Sequence, residues 1–235
     1  MSVSTHLVDT AVATPEPAAP PGRAWALAGA VGGLTGLVGL FVTAGLTDVD
    51  TSVFADNARY VAAVAGREAY VWAFQILTTV SAACLAVFAV GLRRRLAARE
   101  ISGSLLPEIA AAGPLLTAAL LLVGGGVSTE LYFNLLHAHE TDADLVAALL
   151  SLYGTLPWVW AGIGLSAGAL AVTGLARRAA GRWFGAFSLL MALAIAATQA
   201  VPLQYLALVP AGLWTTVAGL TFAVEQRAIG NRRPA

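Results

Sequence analysis

The fold of this chain is decided at residues 70 to 95, which read YVWAFQILTTVSAACLAVFAVGLRRR. The 23 residues from Tyr70 to Leu92 carry no charge, and three arginines follow them directly. A bilayer core about 30 Å thick needs roughly 20 apolar helical residues. Arginines beside such a run mark the side of the membrane that stays in the cytoplasm. This stretch therefore predicts a transmembrane helix with its carboxyl end inside.

Five further stretches meet the same requirement of length and apolarity. They are Ala24–Leu46, Ile109–Val127, Pro157–Ala176, Trp183–Val201 and Tyr205–Val224. The whole chain is 58% hydrophobic and only 11% charged, whereas a water-soluble domain has about 25% charged residues. The sequence therefore predicts an all-α polytopic membrane protein, a bundle of six transmembrane helices surrounded by the lipid bilayer. Such a composition leaves no basic, water-facing domain for nucleic acid.

Eleven of the 13 basic residues flank alternate span ends. They are Arg23, Arg93, Arg94, Arg95, Arg99, Arg177, Arg178, Arg182, Arg227, Arg232 and Arg233. Because cytoplasmic loops retain arginine, both termini are predicted to lie in the cytoplasm and the chain in the inner (cytoplasmic) membrane. Only Arg59 and Arg67 are predicted to lie on the outer side of the membrane. The use of arginine without lysine, together with the high Ala and Gly content, indicates a GC-rich bacterial genome.

Two tails flank a predicted transmembrane domain at residues 23–226. Residues 1–22 are rich in Pro and Ala and lack apolar periodicity, which predicts a disordered cytoplasmic tail. Residues 227–235 are predicted to form a basic cytoplasmic tail. No disulfide can form within the chain, because Cys84 is its only cysteine. No cofactor is expected, since no histidines pair across facing spans as a membrane haem requires.

Small residues predict where the spans pack, because helices in lipid associate where their backbones approach closely. Glycines four residues apart occur in the first and fourth spans, at Gly29/Gly33, Gly32/Gly36 and Gly164/Gly168. These two spans are predicted to be central, and the sequence leaves open whether a seam also joins a second copy. Pro114 and Pro210 lie inside predicted spans, where each should remove a hydrogen bond and bend the helix.

Tryptophan prefers the headgroup level of a membrane, where its ring is half buried and its N–H is hydrated. Five of the six tryptophans lie near predicted span ends and are predicted to be interfacial: Trp25, Trp72, Trp158, Trp160 and Trp183. Trp214 lies in mid-span. It is predicted to pack between helices with its N–H bonded to a neighbour.

The segment between the first and second spans, residues 47–68, is predicted to form an amphipathic helix on the outer membrane surface. Asp48 and Asp50 are suitable helix caps. Apolar residues follow at helical spacing, at Phe54, Ala58, Val61 and Ala65.

The segment after the third span carries the densest group of polar side chains, at Glu130, His137, His139, Glu140, Asp142 and Asp144. If the third helix continues past the membrane, one face of it would carry Glu130, His137, Glu140 and Asp144. Imidazole and carboxylate groups there could bind a divalent metal such as zinc, with His137, His139 and Glu140 as candidate ligands. The segment lacks the His-Glu-x-x-His pattern of zinc proteases. The ordinary alternative is a solvated acidic loop.

A second set of polar residues is predicted at a common depth near the outside: Gln75, Asn134, Tyr153, Gln199 and Gln204. Polar groups within a membrane protein usually face the bundle interior or water. The set either lines a cavity open to the outside or joins the helices through hydrogen bonds. The sequence leaves both open.

Residues 164–168 read GLSAG and match the G-x-S-x-G pattern of serine hydrolases. That pattern requires a strand-to-helix turn and a nearby base. Here Ser166 lies in a predicted helix, and no histidine follows His139. No charged residue lies within the six predicted cores either, although energised transport usually needs one at depth. The sequence therefore favours a protein without catalytic residues.

The chain resembles uncharacterised six-span bacterial integral membrane proteins, which are grouped in families of unknown function. The resemblance covers residues 24–224. It rests on the segment FADNARYVAAVAGREAYVWAF at 54–74, the second span ending in RRR, and the segment RRAAGRWFGAFSLLMAL at 177–193. It implies a topology and transfers no catalytic or binding residue.

Three functional hypotheses follow from the sequence. The first is a non-enzymatic accessory or sensing component, which acts through its outer segments on a membrane-protein partner or a second copy of itself. The alternative is a passive carrier or channel for a small neutral solute, with a cavity near Gln75 and Gln199. The third is a metal-dependent membrane enzyme that uses His137, His139 and Glu140.

Overall fold

The computed structural model describes residues 22–176 and 181–230. The helices are α1 (Ala24–Thr47), α2 (Asn57–Val64), α3 (Glu68–Ala97), α4 (Leu106–Leu136), α5 (Ala143–Thr155), α6 (Ile163–Leu175), α7 (Arg182–Ala200) and α8 (Leu208–Gly230). Short 3-10 segments lie at Thr51–Ala55, Leu156–Gly162 and Gln204–Ala207. The predicted tails, apart from Gly22 and residues 227–230, lie outside the described residues, as do Arg177 and Arg178.

Six helical stretches in the described ranges are long and apolar enough to cross a membrane. They are α1, α3, α4, the rod formed by α5 and α6, α7, and α8 with the 3-10 turn before it. The predicted all-α six-span bundle is confirmed, and the protein is a multi-pass membrane protein. At about 1.5 Å per residue, α3 and α4 are each about 45 Å long. Both therefore extend beyond a hydrocarbon core of about 30 Å.

The fourth span is longer than predicted and is interrupted. It begins at Ala143 rather than at Pro157, and the 3-10 segment Leu156–Gly162 joins α5 to α6. Pro157 stands in the first turn of that segment and has no N–H to donate to the helix before it. Thr117 of α4 donates to Val159 O at 3.3 Å. A neighbouring helix thus supplies a hydrogen-bond donor at the interruption, as irregular backbone in a membrane requires.

α1 lies between α3 and α8 and packs extensively against both. A Cβ added at Gly33 would lie only 2.6 Å from Gly212 O of α8, so the two backbones are in close contact there. On the other side of α1, the Ser81 hydroxyl of α3 donates to Gly32 O at 2.6 Å. The prediction that the glycines of α1 form packing surfaces is confirmed.

A second glycine contact joins α6 to α7. A Cβ at Gly174 would lie 2.6 Å from the Cα of Gly185, and one at Gly164 would lie 3.2 Å from Ile195. A Cβ at Gly168 would meet nothing within 4 Å. The predicted role of Gly168 in packing is therefore wrong, because α7 contacts α6 at glycines on either side of it.

Exposure divides the tryptophans near span ends into two groups. Three are exposed, as predicted: Trp72, Trp158 and Trp183. Trp25 and Trp160 are buried instead, so the interfacial prediction is wrong for both. Their indole rings fill the space beside Gly91 and Gly36 of neighbouring helices, where any Cβ would collide with them.

Two mid-span predictions concern α8. Trp214 is fully buried, and its Nε1 donates to Ser188 Oγ of α7 at 3.0 Å, as predicted. Pro210 does not lie in the middle of a helix as predicted, because α8 begins only two residues earlier, at Leu208. It stands in the first turn, where a missing N–H removes no intrahelical bond. Pro210 therefore gives α8 no reason to bend, contrary to the prediction.

Replacing Gly219 by alanine is expected to loosen the contact between α1 and α8, because the added Cβ would overlap Ala30 N on the facing backbone. Overpacking of this kind costs about 1–3 kcal/mol, so the midpoint of thermal unfolding in detergent should fall by several degrees. Gly168→Ala is the matched control, since its Cβ has open space, and it should leave the midpoint unchanged or raise it. If the two substitutions lowered the midpoint equally, the close contact between α1 and α8 at Gly219 would be contradicted.

Candidate functional site

One end of the bundle carries a helical cap, formed by the ends of α1, α3 and α4 together with α2 and α5. A hydrophobic cluster separate from that of the spans holds it together: Leu46, Val61, Val64, Val71, Phe74, Leu131, Leu135, Val146, Leu150 and Tyr153. We call residues 46–74 and 130–153 the cap, and the opposite end of the bundle the arginine end. Because the cap has its own core, it is a folded part of the protein rather than a pair of loops.

Carboxylates cap each short helical element of this region. Asp50 accepts a hydrogen bond from Ser52 N at 2.8 Å, and hydrogen bonds from Ser52 lower the pKa of Asp50 below its usual value. Asp56 accepts from Ala58 N at 3.0 Å where α2 begins. Asp142 caps α5 in the same way. Such caps satisfy backbone N–H groups that have no partner within the helix.

The amphipathic helix predicted at 47–68 is divided into two elements. Asp56 caps α2, so the predicted face ends there, and Phe54 lies in the preceding 3-10 turn, where it is exposed. α2 buries Val61, which belongs to the predicted face, together with Val64, which does not. The predicted single apolar face is therefore wrong, because an aspartate side chain bonded to the backbone separates the two elements.

Arg67 caps the end of α1. Its guanidinium donates to Gly45 O at 3.1 Å and to Asp48 O at 2.9 Å. Carbonyls in the last turn of a helix lack intrahelical partners, and a positive charge also complements the negative end of the helix dipole. One of the two arginines predicted on the outer side is thus required by the local structure.

The cap is strongly acidic. It carries eight carboxylates, at Asp48, Asp50, Asp56, Glu68, Glu130, Glu140, Asp142 and Asp144, against two arginines, Arg59 and Arg67. With histidine neutral, eight negative and two positive charges give a net charge of −6. Asn57 of α2 donates to Asp144 of α5 at 2.8 Å and joins the two sides of the cap.

The candidate metal ligands His137, His139 and Glu140 lie where α4 ends. α4 stops at Leu136, so the single face expected of a continuing helix does not form. His137 Nδ1 lies 3.0 Å from Phe133 O. Among the described residues, no three His, Cys, Asp or Glu side chains lie close enough to hold a metal ion together.

The five predicted polar residues differ in their surroundings. Gln199 and Gln204 are exposed. Asn134 donates to a carbonyl one turn earlier in its own helix, at 2.7 Å. Gln75 and Tyr153 are the two whose polar atoms reach the protein interior.

Gln75 and Tyr153 each bury a polar atom that has no hydrogen-bond partner. The Gln75 amide packs against Gly125 of α4, and its Oε1 is buried and unbonded. Tyr153 is fully buried against Phe74, with ring centroids 4.9 Å apart, and its Oη lies near the Thr43 hydroxyl without a well-formed hydrogen bond. Such groups are rare and costly. Each marks a place where a water molecule or a small polar ligand would gain a hydrogen bond.

A small cavity lies beside Phe74, between α1, α3 and the 3-10 segment of the fourth span. Gly36, Gly39, Thr78 and Trp160 are among the residues that line it. The centre of a water molecule can occupy about 10 Å³ of this space, and one bound water needs roughly 10–15 Å³. The cavity therefore has room for no more than one water molecule in this conformation.

Ser166, from the hydrolase-like pattern, joins two helices. It lies inside α6, is fully buried, and its Oγ donates to Ala110 O of α4 at 2.6 Å. Ala110 precedes Pro114 by four residues, and proline has no N–H to donate to that carbonyl. The hydroxyl of Ser166 thus bonds the carbonyl that Pro114 leaves free.

An ion pair with a buried arginine lies at the arginine end and was not predicted from the sequence. Arg95 of α3 pairs with Glu225 of α8, and only 8% of the Arg95 side chain is exposed. Both residues lie within one turn of a predicted span end, where charges are expected to be solvated. The signal that could have revealed the pair is the spacing from Gly91 to Arg95, which places Arg95 on the same packed face.

No protein-family model matches the chain, and no curated protein or solved structure shows significant similarity to it. The resemblance to uncharacterised six-span bacterial proteins stays a prediction.

Ser166→Ala is expected to lower the free energy of unfolding by about 1 kcal/mol, because Ala110 O then loses its donor. In a Pro114→Ala background the loss should be smaller, since the new backbone N–H can bond to Ala110 O within α4. Unfolding of the four proteins of this double-mutant cycle in detergent gives the coupling energy.

Ser151→Ala is the control for this cycle, because the Ser151 hydroxyl donates at 3.0 Å to a carbonyl of its own helix. It should show no coupling to Pro114. Additive effects of the Ser166 and Pro114 substitutions would contradict the assigned hydrogen bond.

Proposed function

We propose that the protein is a non-enzymatic accessory or sensing component of the cytoplasmic membrane, which works through its cap. The observation that best supports this role is the hydrophobic cluster of the cap, separate from that of the spans. A short turn is enough to connect two spans, as the link between α7 and α8 shows. The cap is larger than a connection requires and presents a folded acidic surface beyond the bilayer.

The same proposal places both termini and the arginine end in the cytoplasm, with the cap outside. Of the nine arginines in the described ranges, seven belong to the arginine end: Arg23, Arg93, Arg94, Arg95, Arg99, Arg182 and Arg227. Of the two in the cap, Arg67 is bound to the carbonyls of α1. The charge bias of membrane proteins favours this orientation.

The charge of the cap restricts the partner that it would contact. Complementary charge speeds association, whereas like charges repel. A cap with a net charge of −6 therefore favours a basic surface on another membrane protein. A second copy joined cap to cap is disfavoured, because the same eight carboxylates would face one another.

A photo-crosslinking residue at position 54 or 145 is expected to give a discrete protein adduct in isolated membranes. Phe54 and Leu145 are exposed on the cap, at 50% and 51%. Because the contact is proposed to be electrostatic, the yield should fall as salt concentration rises. Position 190 is the control, since Leu190 is 60% exposed on the apolar span α7 and should give no protein adduct. The absence of adducts from the cap would contradict the proposal.

Orientation is checked with single cysteines in a Cys84→Ala background. Ala55→Cys in the cap should react with an impermeant maleimide in intact cells. Ala97→Cys at the arginine end should react only after the cells are permeabilised. The opposite pattern would place the cap in the cytoplasm and overturn the proposed orientation.

A second candidate function is passive passage of a small neutral solute. The unbonded Gln75 Oε1 favours it, and passage would require the small cavity beside Gly39 to widen, since it now holds no more than one water molecule. Liposomes that contain the protein should then admit urea or glycerol faster than protein-free liposomes, as measured by stopped-flow light scattering. Gly39→Leu, which fills the cavity, should remove the gain, whereas Gly126→Leu should not, since a Cβ at Gly126 has open space. Equal rates with and without the protein would exclude this function.

A further inference from the structure

An ion pair and an aromatic ring close the arginine end of the bundle. The Arg95 guanidinium of α3 bonds to the Glu225 carboxylate of α8 and lies 4.5 Å from the centroid of the Phe222 ring. The Arg95 side chain is 8% exposed and that of Glu225 is 37% exposed. Hydrogen bonds between two charged groups are stronger than neutral ones. Arg95 is the buried partner, so removing Glu225 would leave a buried charge without compensation, which is destabilising.

The pair joins two helices that are otherwise held apart. α1 packs extensively against α3 and α8, whereas α3 and α8 make few direct contacts with each other. Phe88 of α3 and Trp214 of α8 meet edge to face, with ring centroids 6.5 Å apart. Within residues 22–176 and 181–230, no second hydrogen bond or ion pair is seen between α3 and α8. The direct polar link between these helices is therefore the Arg95–Glu225 pair.

Two buried polar atoms on the neighbouring turns lack partners in this arrangement. Trp25 of α1 packs on Phe222, with ring centroids 5.8 Å apart, and its buried Nε1 is unbonded. Gln226 follows Glu225 in α8, and its Oε1 is buried and unbonded. If water reached this end, both atoms would gain hydrogen bonds. That gain would offset part of the free energy lost when the ion pair separates.

We propose that the Arg95–Glu225 pair is a latch, and that the arginine end of α8 moves away from α3 when the latch opens. The backbone contact between Ala30 of α1 and Gly219 of α8 lies between the ion pair and the cap, and it serves as the pivot. The latch goes beyond the proposed function and does not depend on it. It suits a sensor that transmits a change across the membrane, and equally a carrier that opens at the arginine end.

A buried reporter thiol tests the latch in the full-length protein purified in detergent. Leu92→Cys in a Cys84→Ala background places the thiol at a fully buried position of α3, one turn from Arg95. Adding Glu225→Gln should speed its modification by a charged, water-soluble thiol reagent about tenfold or more, because the arginine end then spends more time open. The mass of the intact protein reports the extent of modification over time.

Glu108→Gln is the matched control for the loss of one carboxylate at this end. Arg93 and Glu108 form an ion pair between α3 and α4 at 3.1 Å, with side chains 56% and 48% exposed. Solvated pairs of this kind contribute little, so the modification rate at position 92 should change less than twofold. An equal response to Glu108→Gln and Glu225→Gln would overturn the latch.

The native Cys84 separates latch opening from general unfolding. It lies midway along α3, so Glu225→Gln in the otherwise unchanged chain should alter its modification rate less than twofold. A parallel rise at Cys84 and at position 92 would show unfolding and overturn the latch, as would no change at position 92.

The charge-reversed variant Arg95→Glu/Glu225→Arg rebuilds the pair and should bring the rate at position 92 to within about threefold of the unmodified pair. A rate as fast as that of Glu225→Gln alone would also overturn the latch. None of these measurements involves the cap or a partner. They can therefore disprove the latch without affecting the proposed function, and the crosslinking test can disprove the proposed function without affecting the latch.

Discussion

The packing of the bundle depends on the glycines of α1, which let neighbouring helices approach its backbone closely. In lipid, helices gain nothing from burying leucine against each other, so their association depends on how closely two backbones approach. Gly33 lets α1 meet Gly212 of α8, and on the other side the Ser81 hydroxyl of α3 reaches Gly32 O. Because α1 stands between α3 and α8, it fixes the positions of both, and through them the geometry of the cap and of the arginine end.

A second constraint comes from the backbone carbonyls, since hydrocarbon offers them no hydrogen-bond donor. At three places where a helix is irregular or ends, a side chain from another part of the chain supplies a donor. Ser166 does so at the carbonyl freed by Pro114, Thr117 at the 3-10 interruption of the fourth span, and Arg67 at the end of α1. Pro114 and the interrupted span are therefore tolerated because each lies against a donor. Ser166, which gives the sequence its hydrolase-like G-x-S-x-G pattern, makes one of these contacts.

The two ends of the bundle differ in chemistry, and α3 connects them. It begins at Glu68 in the acidic cap and carries Arg95 near its other end. A partner that bound the cap would act on the end of α3, and the latch stands on the same helix about 40 Å away. The proposed sensing role and the proposed latch are thus separate inferences, each with its own test, that one continuous helix could couple.

The sequence by itself determined the membrane class, the six spans, the packing role of the α1 glycines and the hydrogen bond of Trp214. Hydropathy and residue size along the chain are enough for these, because lipid selects long apolar helices whatever their neighbours. Only the tertiary structure decided that Trp25 and Trp160 are buried, that Gly168 is free, and that Arg95 finds Glu225. These outcomes depend on which face each helix turns to the next. That rotation is set by the mutual fit of side chains from distant parts of the chain, and no local pattern records it.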